Sequence, residues 1–139
     1  MKIPKEAPLN PKRGEIWRAD LEPTIGKEMR SRKTNASDTR PVLVLSRPGV
    51  GERGVRLAAP ITDYLPDRDA LLFWRVEIGD NAGSGLTKMS CVDLSQTRAL
   101  DLSRFKRKDG QAHPTELSVS AATLAQLVGA SEPEGEGGT

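Results

Sequence analysis

The sequence predicts one mainly β domain, a half-open β-barrel closed by a C-terminal helix. Six short β-type runs punctuated by glycine and proline predict the barrel, and a single amphipathic run near the C-terminus predicts the helix. The 139 residues suffice for one core without covalent staples. One cysteine, Cys91, excludes an intramolecular disulfide framework and fits a reducing compartment. No apolar h-region follows Met1 and no apolar run approaches membrane-spanning length. A soluble, cytoplasmic protein without membrane contact is therefore expected.

Residues 1–12 hold three prolines and little periodicity, and are expected to form a lead-in arm to a domain spanning 13–130. Glu15–Leu21 alternates as a half-buried strand does. Pro41–Arg47 begins with a continuous apolar run, expected of a strand buried on both faces. Val55–Ile61, Leu71–Ile78, Met89–Leu94 and Thr97–Leu100 complete the predicted strands, with turns at Pro48-Gly49, Gly79 and Gly83/Gly85. The helix is predicted over Ser118–Val128, with Ser118 or Ser120 as N-cap. Val119, Ala122, Leu124, Leu127 and Val128 would be its apolar face and Gly129 its stop. Residues 131–139, rich in Gly and Glu, are expected to be a disordered acidic tail. The longest stretch without a pattern inside the domain is Lys27–Thr39, expected to be an irregular, mobile loop.

Three of the 19 acidic residues and none of the 21 Lys and Arg lie in that tail, so the remainder carries 21 bases against 16 acids. This mild excess favours a polyanionic partner without requiring one. The lone histidine, His113, leaves no two-histidine acid–base pair and reads as surface. With one Cys, one His and no D-x-D carboxylate pair, neither a metal site nor a nucleophilic triad is supported, and no cofactor is expected. No phosphate-binding glycine loop is present; Gly83-Ser84-Gly85 lacks the pattern. Arginine chemistry remains. A guanidinium forks onto two phosphate oxygens and stays charged at any working pH. Position alone leaves Arg40 open between that role and a strand-edge ion pair, and Thr62 open between a phosphate donor and an ordinary strand end. Trp17 reads as core and Trp74 as core or interface. The basic run Arg104–Lys108 reads equally as a solvated turn or a polyanion contact.

Four pieces of sequence stand in a fixed order. They are Arg13-Gly14-Glu15-Ile16-Trp17 running to Pro23-Thr24-Ile25-Gly26-Lys27-Glu28, then Thr39-Arg40-Pro41-Val42-Leu43-Val44-Leu45-Ser46, then Ala58-Ala59-Pro60-Ile61-Thr62. The last is Gly85–Ser90 followed by Gln96-Thr97-Arg98-Ala99-Leu100-Asp101. In this order they resemble the MazF/PemK family of toxin endoribonucleases, whose outline is RGEIW, DPT-x-G-x-E, RPVLVLS, APIT, GL-x-x-x-S and Q-x-R-x-x-D. The resemblance implies an SH3-like barrel of the CcdB/MazF/PemK type, acting as a homodimer. It also implies metal-independent, sequence-selective cleavage of single-stranded mRNA through 2′-hydroxyl attack, and neutralisation by a cognate antitoxin with an acidic flexible tail.

Carried over by motif, Arg40 and Thr62 match catalytic positions, and Glu28 matches the acidic residue that either orients Arg40 or acts as base. Lys27, Arg30, Arg32 and Lys33 of the loop, with Asp63 after Thr62 and Gln96 of the Q-x-R motif, are expected to contact RNA. Against the family the 27–39 connection looks like an insertion, expected to close over RNA or an antitoxin tail. PemK-like members carry an Arg and an Asp before the Q-x-R motif. The matching positions here hold Asp93 and Ser95, so that acid–base pair is absent and the chain sits toward MazF. The alternatives within the same barrel are a CcdB-like gyrase-binding toxin and an inactive RNA- or antitoxin-binding relative.

Overall fold

The computed structural model describes residues 9–34, 37–49, 54–79 and 83–130, with eight strands and two α-helices. In chain order these are β1 (Glu15–Ala19), β2 (Arg32–Thr34), β3 (Ser37–Val44), β4 (Val55–Asp63), α1 (Pro66–Asp69), β5 (Arg75–Ile78), β6 (Ser90–Asp93), β7 (Arg98–Asp101), β8 (Phe105–Gln111) and α2 (Pro114–Leu127). Short 3₁₀ turns lead into β7 and β8. The sheet runs β5-β6-β4-β3-β1-β8, with β2 added to β3 and β7 to β4, and every pairing is antiparallel. β4 makes this a half-barrel. It pairs with β7 through Val55–Ala58, with β3 through Ala58–Pro60 and with β6 through Ile61–Asp63, so one strand joins three neighbours.

Successive residues of β1, β3 and β4 point to opposite faces, and both faces are covered. Ile16, Leu43, Ala59 and Ile61 pack with Ile78, Val92 and Leu94 under α2. Trp17, Val42, Val44 and Ala58 pack with Leu21, Leu100 and Phe105 on the other side. The continuous apolar run after Pro41 is thus a strand buried on both sides. Trp17, 6% exposed, meets Phe105 edge to face with ring centroids 6.0 Å apart.

Four sequence expectations change. α2 begins at Pro114, not Ser118. His113 is its N-cap, with Nδ1 accepting from Thr115 N (3.1 Å) while Glu116 Oε1 accepts from His113 N (3.0 Å), and Pro114 starts the first turn. With that start the buried face is Leu117, Ser120, Thr123, Leu124 and Leu127, while Val119 and Val128 face outward. Leu71–Trp74 is a turn, not strand, because the amide of Leu72 donates to Asp69 O and that of Arg75 to Leu72 O. Trp74 is half-buried against Phe73. The basic run before Asp109 is an edge strand: Phe105 is buried and Lys106, Arg107 and Lys108 face solvent beside β1. The 27–39 stretch is not irregular throughout, since Arg32–Thr34 pairs with Ser37–Thr39 as a hairpin. The expected tail at 131–139 and most of the arm, residues 1–8, lie outside the described residues. No helix among the described residues is long and apolar enough to cross a membrane.

Candidate functional site

The register of β3 and β4 builds the site. Their ladder runs Val44↔Ala58, Leu43↔Ala59, Val42↔Pro60 and stops there. Pro41 and Pro60 both lack an N–H, so neither can extend the ladder as a donor. Two residues further on, the same register sets Arg40 against Thr62, but Thr62 is already paired with Cys91 of β6. The strands part, and the Arg40 side chain spans the opening.

Arg40 is only 9% exposed, and a buried guanidinium needs hydrogen-bond acceptors. Its Nε donates to the Arg30 carbonyl and its Nη1 to the Ile61 carbonyl at 3.2 Å, so acceptors from two segments fix its plane. Arg30 is held in turn by its neighbour Ser31. The Ser31 amide donates to Glu22 Oε2 (2.9 Å) and the Ser31 hydroxyl accepts from Leu21 N (2.7 Å). That amide hydrogen bond holds the Glu22 carboxyl below its ordinary range. The opening is a cleft of about 230 Å³ whose polar lining is Arg18, Thr39, Arg40, Thr62, Asp63, Thr87, Lys88 and Ser90. Lys88 Nζ meets Asp63 Oδ2 at 3.1 Å and Arg18 Nε meets Asp109 Oδ2 at 2.9 Å.

Glu28 and Gln96 line a second cleft of about 270 Å³, together with Pro60, Ser95, Thr97 and Arg98. There Glu28 Oε1 accepts from Ile25 N (2.8 Å), capping its own turn. Gln96 clamps the loop backbone: its Oε1 accepts from Met29 N (2.9 Å) and its Nε2 donates to Lys27 O (3.1 Å). Lys27 and Arg30 are exposed, while the side chains of Arg32 and Lys33 lie outside the described residues. The structure therefore gathers Arg40, Thr62 and Asp63 in one cleft and sets Glu28 and Gln96 in the second.

Arg18 and Lys88, which sequence reasoning passed over, face Arg40 and Thr62 in the same cleft. Only strand pairing reveals Arg18, whose partner Pro41 follows Arg40. A larger cavity of about 660 Å³ lies toward the other ends of β3 and β4, lined by Lys12, Arg13, Arg47 and Arg56, and holds none of the expected site residues.

Behind Thr62, an ion network centred on the buried Asp69 supports β6. Asp69 is 1% exposed and accepts from Arg68 Nε (2.6 Å), Arg75 Nη1 (3.0 Å) and Leu65 N (2.8 Å). Arg75 Nε continues to Asp93 Oδ2 (3.0 Å). The Arg68 hydrogen bonds hold the Asp69 carboxyl well below the usual carboxylate range, and burial pushes the Cys91 thiol up to about 11. Among the described residues no three His, Cys, Asp or Glu side chains come together as a metal site.

Comparison with known proteins matches residues 12–128 to the family described as PemK-like, MazF-like toxin of type II toxin-antitoxin system. Among solved structures the chain is similar to MazF from Deinococcus radiodurans, with 25% identity and a TM-score of 0.67 over 86% of this chain and 96% of that one. It is also similar to an endoribonuclease from Mycobacterial species, solved in complex with its cognate antitoxin. The figures there are 18% identity and a TM-score of 0.66 over 89% of this chain and 100% of the other. The Mycobacterium tuberculosis toxin MazF-mt6 aligns at 21% identity and a TM-score of 0.60, covering 82% and 95% of the two chains. The search of curated proteins found no match.

Proposed function

The chain belongs to the PemK-like, MazF-like toxins of type II toxin–antitoxin systems, and from that premise we propose that it is a metal-independent, sequence-selective endoribonuclease acting on single-stranded mRNA. The observation that carries the reading is the cleft in which a carbonyl-anchored Arg40 faces Thr62 at the end of the β3–β4 ladder. In the proposed reaction the substrate 2′-oxygen attacks the adjacent phosphorus, the P–O5′ bond breaks, and the products are a 2′,3′-cyclic phosphate and a 5′-hydroxyl. The 2′-hydroxyl loses a proton and the leaving oxygen gains one. The Arg40 guanidinium offsets the charge that builds on the phosphorane oxygens, and the Thr62 hydroxyl donates to one of them. Glu28, in the second cleft, is the carboxylate assigned to proton transfer. Lys27, Arg30, Arg32 and Lys33 would meet phosphates, and Asp63 and Gln96 base edges.

The partners proposed are a second copy of the chain and a cognate antitoxin with an acidic flexible tail. The antitoxin reading is supported by similarity to toxins solved with their antitoxins, including MazE–MazF of Deinococcus radiodurans. The test is incubation of purified protein with a long RNA in EDTA, with cut sites mapped by primer extension. Cleavage should persist, and the downstream fragments should accept label from 5′-kinase without phosphatase. A 2′-deoxy substrate should resist. A strict need for Mg²⁺ or Mn²⁺, or cutting of the deoxy strand, would overturn the mechanism.

A further inference from the structure

Arg18 lines the same cleft as Arg40 and Thr62. Its neighbours in β1, Trp17 and Ala19, are buried, whereas its own side chain is 28% exposed and lines the cleft beside Pro41. Its Nε is engaged by Asp109 Oδ2 at 2.9 Å, and its two terminal nitrogens have no hydrogen-bond partner among the described residues. Asp109 is itself fixed. Its carboxylate is 7% exposed and shared with Arg107 Nε at 3.0 Å. Its backbone is pressed by the segment that carries Thr87 and Lys88: a Cβ placed on Gly85 would lie 2.3 Å from the Asp109 carbonyl oxygen. The register irregularity between Arg18 and Ala19 in the β1–β8 ladder accompanies this crossing. One edge of the guanidinium is therefore tied down, while the other has no partner among the described residues. The cleft's lining carries three cations, Arg18, Arg40 and Lys88, against one carboxylate, Asp63, which is already paired with Lys88.

We propose that Arg18 is a second phosphate-binding residue of this cleft and that Asp109 is its positioning residue. The inference rests on the ribonuclease reading above and names a contact that the motifs do not carry. Arg40 is buried and bound by backbone carbonyls, which suits the scissile phosphate. Arg18, more exposed and free at its terminal edge, grips a flanking phosphate of the same strand by a forked contact.

The probe is a short single-stranded RNA with one deoxyribose at the mapped cut, whose binding is followed by fluorescence anisotropy across a salt series. Arg18→Ala should weaken binding about tenfold and lower the slope of log K against log salt by about one phosphate contact. Against cleavable RNA it should raise KM and leave kcat within about threefold. Arg18→Gln keeps a donor for Asp109 without the charge and should behave alike, which guards against a folding defect in the alanine variant. Asp109→Asn should weaken binding about threefold in the wild-type background and not at all in Arg18→Ala, because its effect passes through Arg18. Equal losses in both backgrounds would make Asp109 merely structural. Unchanged affinity and salt slope in both Arg18 variants, with wild type cutting normally, would overturn this inference alone. A wild-type protein that does not bind the RNA overturns the ribonuclease reading with it.

Discussion

Arg40 donates through Nη1 to the carbonyl oxygen of Ile61 at 3.2 Å, and Ile61 is the residue before Thr62. This contact joins two strands just where their ladder has ended, so the Arg40 side chain is set on one side by the backbone beside Thr62 and on the other by the Arg30 carbonyl of the preceding loop. It also means that Arg40 has a structural share in addition to the proposed catalytic one.

Two effects should therefore separate on substitution. Arg40→Ala should lower the cleavage rate by about 10²–10³-fold, the scale of losing one transition-state donor. It should also lower stability by about 1–3 kcal/mol, because the Arg30 and Ile61 carbonyls lose a charged donor. Arg40→Lys should regain part of the stability and little of the rate, since one ammonium cannot reproduce the fork. Thr62→Ala, at a half-buried position, should cost a similar rate factor with a much smaller change in stability. Single-turnover kinetics and urea midpoints on the same preparations check both. Near-full activity in a folded Arg40→Ala would end the assignment.

Position alone leaves Arg40 and Thr62 open and the resemblance singles them out; the structure brings both into one cleft because Arg40-Pro41 and Pro60–Thr62 are local patterns at the end of one strand pair. Arg18 was not legible because its place in the cleft depends on β1 pairing with β3, and on Asp109 reaching it from β8 across 91 residues. β8 itself was hidden for a related reason. An edge strand with solvent on its open side keeps Lys106, Arg107 and Lys108 outward, and its apolar signal shrinks to Phe105. The helix starts earlier than the Ser118 or Ser120 cap predicts because its cap is a histidine, His113, rather than the usual Ser, Thr, Asp or Asn. The Glu116 side chain three positions on was the available cue, and it completes a capping box with His113. Side-chain placement in the clefts is tertiary information, and Glu28 standing beside Gln96 is one instance of it.

Gln96 holds the 27–29 backbone with both ends of its amide, and that segment leads to the Arg30 carbonyl on which Arg40 rests. Gln96→Ala should accelerate trypsin cleavage after Lys27 and Arg30 several-fold. It should lower cleavage of RNA without removing any cation. Gln96→Glu retains the acceptor for Met29 N and should show an intermediate digestion rate. An unchanged digestion pattern in Gln96→Ala would show that the clamp does not control the loop.

The crossing of the Gly83–Gly85 segment over β8 leaves no room for a side chain at Gly110. A Cβ on Gly110 would stand 2.2 Å from the Gly83 carbonyl oxygen, whereas one on Gly83 meets nothing closer than 3.9 Å. Gly110→Ala should cost about 1–3 kcal/mol through backbone displacement, and Gly83→Ala should be close to neutral. Displacement at Gly110 moves the segment bearing Thr87 and Lys88, so RNA binding should weaken together with stability. Equal urea midpoints for the two variants would contradict the close approach.

Asp69 makes the fold acid-sensitive in a definable window. Its carboxyl lies well below the ordinary 3.8 in the folded state, chiefly through the Arg68 hydrogen bonds and then the Leu65 amide and the Arg75 charge. A carboxyl depressed on folding stabilises the native state above its unfolded value, and that stabilisation is lost as pH falls toward the folded one. Stability of the wild type should therefore be insensitive to this group near neutrality and decline as pH drops below about 4. Asp69→Asn leaves Arg75 and Arg68 facing a neutral amide and should cost about 3 kcal/mol near neutral pH, the scale of breaking a buried pair. The gap between variant and wild type should narrow steadily below about pH 4. Cys91 supplies an independent readout, because its fully buried thiol, pushed up to about 11, should react with a disulfide reagent only on unfolding. Its labelling rate should rise in Asp69→Asn near neutral pH, since Asp69 Oδ2 lies 3.8 Å from Cys91 Sγ and the two share one packed layer behind Thr62. A stability gap that stays constant from neutral pH down to about pH 3 would show that the network does not contribute through the Asp69 charge.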